Sequence, residues 1–310
     1  MKTFTLPQLD ELQTLRGTRV IVYSSMIEDY TVGILYDCLR QMGPTQRLDL
    51  VLSTSGGVVA TARRLALLLR EFTQHLTILV PYQAKSAGTL LCLSANELVL
   101  GPLSELGPID AHIGSAGNPP SDAPGIISAE DIRVFRQMAE DWFGVNREKD
   151  RLQVLALVAQ RVFPTSLSSF YRSDRLTRQA ARELLRYQLP DVEDSVRDHI
   201  VNQLVSGYDA HDHVITRIEA QTLGLRVQFA SSQEEALLWN LSKTRQRQFL
   251  KHLGQPEEGV IGLIMSTDFC ARQVIRKVDA PGIRRMKTEQ EENESQIQKT
   301  SQISWEIDGE

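Results

Sequence analysis

The first half of the chain alternates short, almost wholly apolar runs with longer segments that place an apolar residue every three or four positions. Residues 18–23, "TRVIVY", read as a buried strand. Between residues 28 and 42, Val32, Leu35, Tyr36, Leu39 and Met42 share one helical face. "LDLVLST" predicts a second strand, ending at Gly56-Gly57, and "VVATARRLALLLREF" predicts a helix. "LTILVP" reads as a third strand, followed by a turn at Ser86 and a helix through Ala95, and "ELVLGP" reads as a fourth strand. Strands alternating with helices predict parallel βαβ units. Strands this apolar predict a sheet covered by helices on both faces.

The pattern changes near Gly114. "GSAGNPPSDAPG" is a loop composition. From Ser128 to about Tyr187 the spacing is helical and more polar, with a capped start at Ser128 and Asp131 and an interruption at Pro164. A loop, a short helix with an exit glycine, and a longer helix follow. "GVIGLIMSTDFCARQVIRKV" predicts a hairpin turning near Thr267-Asp268. The fold class is therefore α/β with a mostly parallel sheet, a helical insertion and a C-terminal extension. The expected organisation is a core over 1–124, a helical insertion and oligomerisation region over 125–205, and the end of the core with a C-terminal helix over 206–252. A hairpin extension over 253–285 and a charged, Gln-rich flexible tail over 286–310 complete it.

A hydrophobic fraction of 42% over 310 residues supports a sizeable core. The net charge of −5, with Lys and Arg mixed among acids, argues against a nucleic-acid partner. Cys38, Cys92 and Cys270 are far apart and form no CxxC pair, which argues against a disulfide framework or a zinc site and fits a reducing compartment. "MKTFTLPQLDELQTLRG" is too polar for a signal peptide, and no run approaches the roughly 20 apolar residues of a membrane helix. The expectation is a soluble, cytoplasmic protein with no membrane segment.

Two small-residue turns stand out: "STSGG" at 53–57 and "AKSAG" at 84–88. In a parallel sheet, residues just past the carboxyl ends of adjacent strands meet at one edge. A glycine pair there can present unhindered N–H groups, and a serine at a helix start sits beside outward-pointing donors. Those are the parts of an acyl-transfer site, a nucleophile with an oxyanion hole. The same residues also suit a plain helix cap and a plain turn.

"LSTSGGVVATARRLALL" resembles the oxyanion segment of the Clp-type serine peptidases and the helix that follows it. "AKSAGTLLCLSANELVLGPLSELGPID" resembles the nucleophile segment of the serine dehydrogenase proteinase family, a branch of the Clp/crotonase-like clan. "AHDHVITRIEAQTLGL" and "FPTSLSSFYRSDRLTRQAARELL" are similar to later segments of that branch, so the resemblance runs over about residues 18–228. It implies a Clp/crotonase-like fold and a serine peptidase with no metal or organic cofactor, acting on peptide or protein substrates. It also implies a homo-oligomer, with a partner ATPase on another chain as a further expectation. Ser86 corresponds to the nucleophile. Gly57 and Ala87 correspond to the oxyanion-hole positions, with Gly56 shaping the turn. The order Ser, Asp, His of the branch maps to Ser86, Asp110 and His211, which is favoured because "GPID" is the branch's own motif. The Clp order maps to Ser86, His112 and Asp212. In either case a histidine takes the serine proton and a carboxylate fixes its tautomer.

Lys85 points away from Ser86 if the two leave an extended segment in succession, so it reads as an electrostatic neighbour. His75, His199 and His252 carry no motif context. Trp142, Phe143, Phe163, Phe170 and Tyr171 place large apolar groups among charges, the mark of a covered surface. Two other readings stay open: a crotonase-like enzyme on an acyl-CoA thioester, which needs no serine nucleophile, and a non-catalytic assembly subunit.

Overall fold

The structure, a computed structural model, describes residues 7–109, 112–114, 126–161, 164–254, 258–279 and 299–308. Helix α1 (Pro7–Arg16) leads into β1 (Arg19–Ser24), α2 (Asp29–Met42), β2 (Thr45–Ser53), α3 (Val59–Phe72) and β3 (Thr73–Val80). A two-residue strand, β4 (Gln83–Ala84), precedes the short helix α4 (Ala87–Cys92). Strands β5 (Glu97–Leu100), β6 (Glu105–Leu106), β7 (His112–Gly114) and β8 (Ile126–Ser128) follow. Next come helices α5 (Ala129–Phe143), α6 (Glu148–Arg161), α7 (Pro164–Gln188) and α8 (Asp194–Ser206), then β9 (Ile215–Thr216), α9 (Arg217–Thr222) and β10 (Val227–Phe229). Helix α10 (Ser232–Gly254) is followed by β11 (Glu258–Met265), β12 (Cys270–Asp279) and β13 (Lys299–Ile307).

The large sheet has the order β10-β5-β3-β2-β1-β11-β12-β13. Its first five strands are parallel, and the last three join antiparallel on the β1 edge. Side chains leave a strand to alternate faces, and here both faces are dry. Ile21, Tyr23, Leu50, Leu52, Ile78 and Val80 pack on one side with residues of α2, α3, α4, α7 and α8. Val20, Val22, Val51, Leu79 and Val99 pack on the other with Leu9 and Leu12 of α1 and Leu238 and Leu241 of α10. Each such side chain contributes roughly 1.5–3 kcal/mol on full burial. Two-sided burial is why these strands read as continuous apolar runs. Helix α3 buries Thr61, Ala62, Leu65, Ala66 and Leu69, the stripe its spacing predicts.

Helices α7 and α8, inside the expected insertion, give Ala180, Ala181, Leu184, Leu185, Ile200 and Val201 to the main core. The hairpin over β11 and β12 forms where expected, with Met265 opposite Cys270. Two elements depart from expectation. Helix α1 carries only Leu9 and Leu12 as buried residues, too few for a periodic signal. The tail expected to be flexible contains β13, which pairs with β12 from Lys299 to Ile307. Its Ile303, Trp305 and Ile307 alternate with polar residues. Trp305 and Ile307 pack against the core, and that burial offsets the ordering cost the charged composition suggested was prohibitive. Among the described residues, no helix is long and apolar enough to cross a membrane.

Candidate active site

Ser86 stands at the turn between β4 and α4, with φ 53° and ψ −116°. Among the described residues it is the one non-glycine with positive φ. Such a conformation costs on the order of 1–3 kcal/mol and persists only where the surroundings over-determine it. The surroundings do so. Ser86 is 6% exposed, and α4 is buried along its whole length. Gly88 is needed because any Cβ there would stand 2.5 Å from Thr54 Cγ2. The Thr89 hydroxyl lies 2.8 Å from both Ala84 O and Gly107 O, and it accepts the Gly107 N–H at 3.0 Å. One hydroxyl thus ties the Ser86 turn to the start of the Gly107-Pro108-Ile109 segment.

The loop after β2 lies against this turn. Thr54 bridges to Ala84, with Thr54 N–H donating to Gln83 O at 2.9 Å and Lys85 N–H donating to Thr54 O at 3.1 Å. Gly56, φ +113°, approaches so closely that a Cβ would meet Lys85 O and Ser86 Cβ at 3.0 Å each. Gly57, φ +144°, bridges to Ile27, whose carbonyl oxygen would lie 2.1 Å from an added Cβ. Ile27 N–H donates to Gly56 O and Val58 N–H donates to Ile27 O, both at 2.8 Å. Among the described residues, neither the Gly57 N–H nor the Ala87 N–H has a hydrogen-bond acceptor. Free N–H groups near a serine hydroxyl can stabilise an oxyanion formed when that hydroxyl attacks a carbonyl.

A three-stranded sheet, β4-β6-β9, gathers the chain segments that carry the other candidates. Strand β6 runs parallel to β4, with Ala84 beside Leu106, and antiparallel to β9, with Leu106 beside Ile215. The chain after β4, the chain after β6 and the chain before β9 therefore meet at one edge. The first carries Ser86, the second leads toward Asp110, and the third carries His211 and Asp212. His211 and Asp212 are both exposed, in the turn between α8 and β9. Asp110 lies outside the described residues. His112 opens β7 opposite Ser128, and its side chain is likewise outside them.

The Lys85 ammonium is 3.2 Å from Glu105 Oε2, an ion pair that occupies it away from the role of base. The motif reading passes over His213. Its Nε2 lies 3.2 Å from Glu219 Oε1 and its ring stacks on Tyr208 at 4.3 Å. Burial, with the Glu219 carboxylate adjacent, pushes the Tyr208 hydroxyl up to about 12. The nearby repeat of histidine at 211 and 213 is the one sequence signal that could have drawn attention to it. Among the described residues, no group of three or more His, Cys, Asp or Glu is arranged to hold a metal. A cavity of about 540 Å³ lies elsewhere, between α5, α6 and α7, lined by Phe135, Ala139, Leu155 and Phe170 among others.

The match of the chain to known proteins bears directly on this turn. Residues 12–133 match the family of ClpP-like SDH-type serine proteinases. That segment contains the glycine loop, Ser86 and α4, and it agrees with the Clp-type α/β fold implied by the motifs. The chain is 27% identical over 212 residues to the uncharacterized protein MJ0137 of Methanocaldococcus jannaschii, covering 68% of this chain and 63% of that one. It is 23% identical over 231 residues to the uncharacterized protein MJ1495 of the same organism, covering 70% and 69%. The chain thus spans less than two thirds of the length of the first of these relatives. Among solved structures it is similar to a serine-to-alanine mutant of the 1510-N membrane-bound stomatin-specific protease, at 14% identity and a TM-score of 0.41, covering 74% of this chain and 84% of that one.

Proposed function

We propose that the chain is a serine peptidase that cleaves peptide bonds through an acyl-enzyme on Ser86. The observation that carries this reading is the strained, buried Ser86 turn with the N–H groups of Gly57 and Ala87 beside it, neither of which has an acceptor among the described residues. Ser86 Oγ attacks the scissile carbonyl carbon as its proton passes to a histidine. The carbonyl oxygen becomes an oxyanion held by the two N–H groups. The histidine then gives its proton to the departing amine, the C–N bond breaks, and water repeats the sequence on the ester. His211 is the proposed base and Asp110 its orienting carboxylate. His112 with Asp212 is the alternative pair.

The chain is also proposed to work as a homo-oligomer in the cytoplasm on peptide or protein substrates. Trp142 is 76% exposed and Phe143 70%, and Tyr171 and Leu152 are also open, whereas Phe170 is buried by its own chain. Such a set on α5, α6 and α7 fits a surface that neighbouring subunits cover. Light scattering at micromolar concentration checks it, since a stable, fully active 35 kDa species would show that assembly is not required.

The test of the chemistry compares wild type with Ser86→Ala in two assays. One is labelling by a serine-directed fluorophosphonate, and the other is hydrolysis of a mixed peptide library. Labelling and cleavage by wild type alone are expected. Equal cleavage by the two proteins would overturn the reading. Hydrolysis of an acyl-CoA thioester without serine labelling would support the crotonase-like alternative.

A further inference from the structure

The strands β11, β12 and β13 lie beyond the residues that match the peptidase family, yet β11 pairs with the end of β1, and the turn after β1 bridges to the glycine loop at Ile27 and Gly57. Besides the pairing of β11 with β1, a side-chain contact is made by Gln273. Gln273 in β12 is 8% exposed. Its amide reaches past β11 to the β1–α2 turn and the first turn of α2. There Nε2 donates to the Tyr30 hydroxyl at 2.8 Å, and Oε1 accepts from Ser25 Oγ at 3.3 Å. The path exists because residue 262 of β11, the register partner of Gln273, is glycine. A Cβ at Gly262 would stand 2.7 Å from Gln273 Oε1 and 2.9 Å from Ser25 Oγ. Trp305 of β13, the cross-strand partner of Gln273, adds its ring 6.2 Å from that of Tyr30.

Between Ser25 and Tyr30 lies Ile27, fully buried. The Ile27 peptide grips the glycine loop from both sides, through its N–H to Gly56 O and its carbonyl to Val58 N–H. The direction of the Gly57 N–H is therefore set by where Ile27 sits. Ser25 and Tyr30, which flank Ile27, are joined by the buried Gln273 amide, while the Tyr23 hydroxyl holds Met26 O and the Thr31 hydroxyl holds Glu28 O in the same turn. We propose that Gln273 is a positioning residue for the oxyanion loop, and that the C-terminal strands are a working part of the active site. The proposal rests on the peptidase reading of Ser86. Gln273 touches no reacting atom and acts through Ser25, Tyr30 and Ile27.

Gln273→Leu, an apolar side chain one bond shorter, removes both hydrogen bonds. It is expected to lower kcat about ten- to a hundredfold with KM little changed, because a donor displaced by a fraction of an ångström to 1 Å loses up to about a hundredfold in rate. The rate of fluorophosphonate labelling of Ser86 falls in step, since the phosphonyl oxygen uses the same donors. Tyr30→Phe is a milder variant on a half-exposed side chain and should give part of the loss. The double variant Gln273→Leu/Tyr30→Phe should be no slower than Gln273→Leu alone, because both break one link. Val274→Ala in the same strand serves as the control, lowering the melting temperature while kcat stays at the wild-type value. The inference is overturned if Ser86→Ala is inert but Gln273→Leu and Tyr30→Phe keep wild-type kcat and labelling rates, with melting temperatures lowered as in Val274→Ala. If Ser86→Ala retains wild-type activity, the peptidase reading itself fails, and the two failures are distinct.

Discussion

Gly57→Ala is the sharpest perturbation available to the glycine loop. The added methyl would lie 2.1 Å from Ile27 O, 2.8 Å from Ile27 C and 2.9 Å from Ile27 N, all backbone atoms that no rotamer change can move aside. Relief to ordinary contact requires the loop and the Ile27 peptide to part by about 1 Å or more. That stretches the two 2.8 Å hydrogen bonds that join them. Each is worth roughly 0.5–1.5 kcal/mol net, and the φ of +144° adds on the order of 1–3 kcal/mol of strain for an L side chain. The sum, about 2–6 kcal/mol, is below or near the lower part of the usual 5–15 kcal/mol stability range of domains, so the variant should fold with a lowered melting temperature. The catalytic loss should be larger in effect. Displacing one oxyanion donor costs roughly a hundred- to a thousandfold in kcat. The assay pairs thermal melting with peptide hydrolysis and the fluorophosphonate labelling rate. A folded Gly57→Ala protein with wild-type kcat/KM and labelling would show that the oxyanion is held elsewhere, and the role given to this loop would be wrong.

The remaining predictions concern the base, the Thr89 link and the thiols. His211→Ala should remove most peptidase activity and Asp110→Asn a large part, through the wrong tautomer, with His112→Ala mild; the reverse ranking would favour His112 with Asp212. Thr89→Val strands the buried Gly107 N–H and a carbonyl, at roughly 1–3 kcal/mol each, and should lower both stability and kcat, whereas Thr89→Ser should restore both. Burial pushes the Cys38 and Cys270 thiols up to about 12 and raises Cys92 as well, so all three should resist iodoacetamide at pH 8 in the native protein and react on unfolding. Rapid native alkylation with loss of activity would mean that a thiol is exposed near the site.

The parallel core was legible because its strands are buried on both faces and its helices repeat at 3.6 residues. Both signals are local. Strand β13 and helix α1 were not legible in the same way. In β13 the alternation of Ile303, Trp305 and Ile307 is present, but it follows a long polar stretch, and composition outweighed period. In α1 two leucines suffice because α10 supplies the rest of the dry face. Neither element has enough apolar surface to announce itself without its partner. The acid and base candidates raise the same difficulty in stronger form. Asp110, His112, His211 and Asp212 come from two segments about a hundred residues apart, and two chain orders satisfy one chemistry.

The Ser86 turn itself shows why small residues were a good guide to its place and no guide to its energetics. Helix α4 has six residues, too few to be stable alone, and its first neighbour is held at positive φ. Nothing local favours that state. It is imposed by contacts that converge from the rest of the chain: Thr54 against Gly88, Thr89 between Ala84 and Gly107, and Gly56 against Lys85 O. Ala87 and Gly88 were recognisable because they leave space, and space is a property that sequence displays. The partners filling that space are Thr54 and Gly56 after β2 and Gly107 after β6. The backbone of Ser86 held this way is already fixed in the folded protein. The strain is therefore met during folding, by burial elsewhere in the sheet, and does not have to be met again in each turnover.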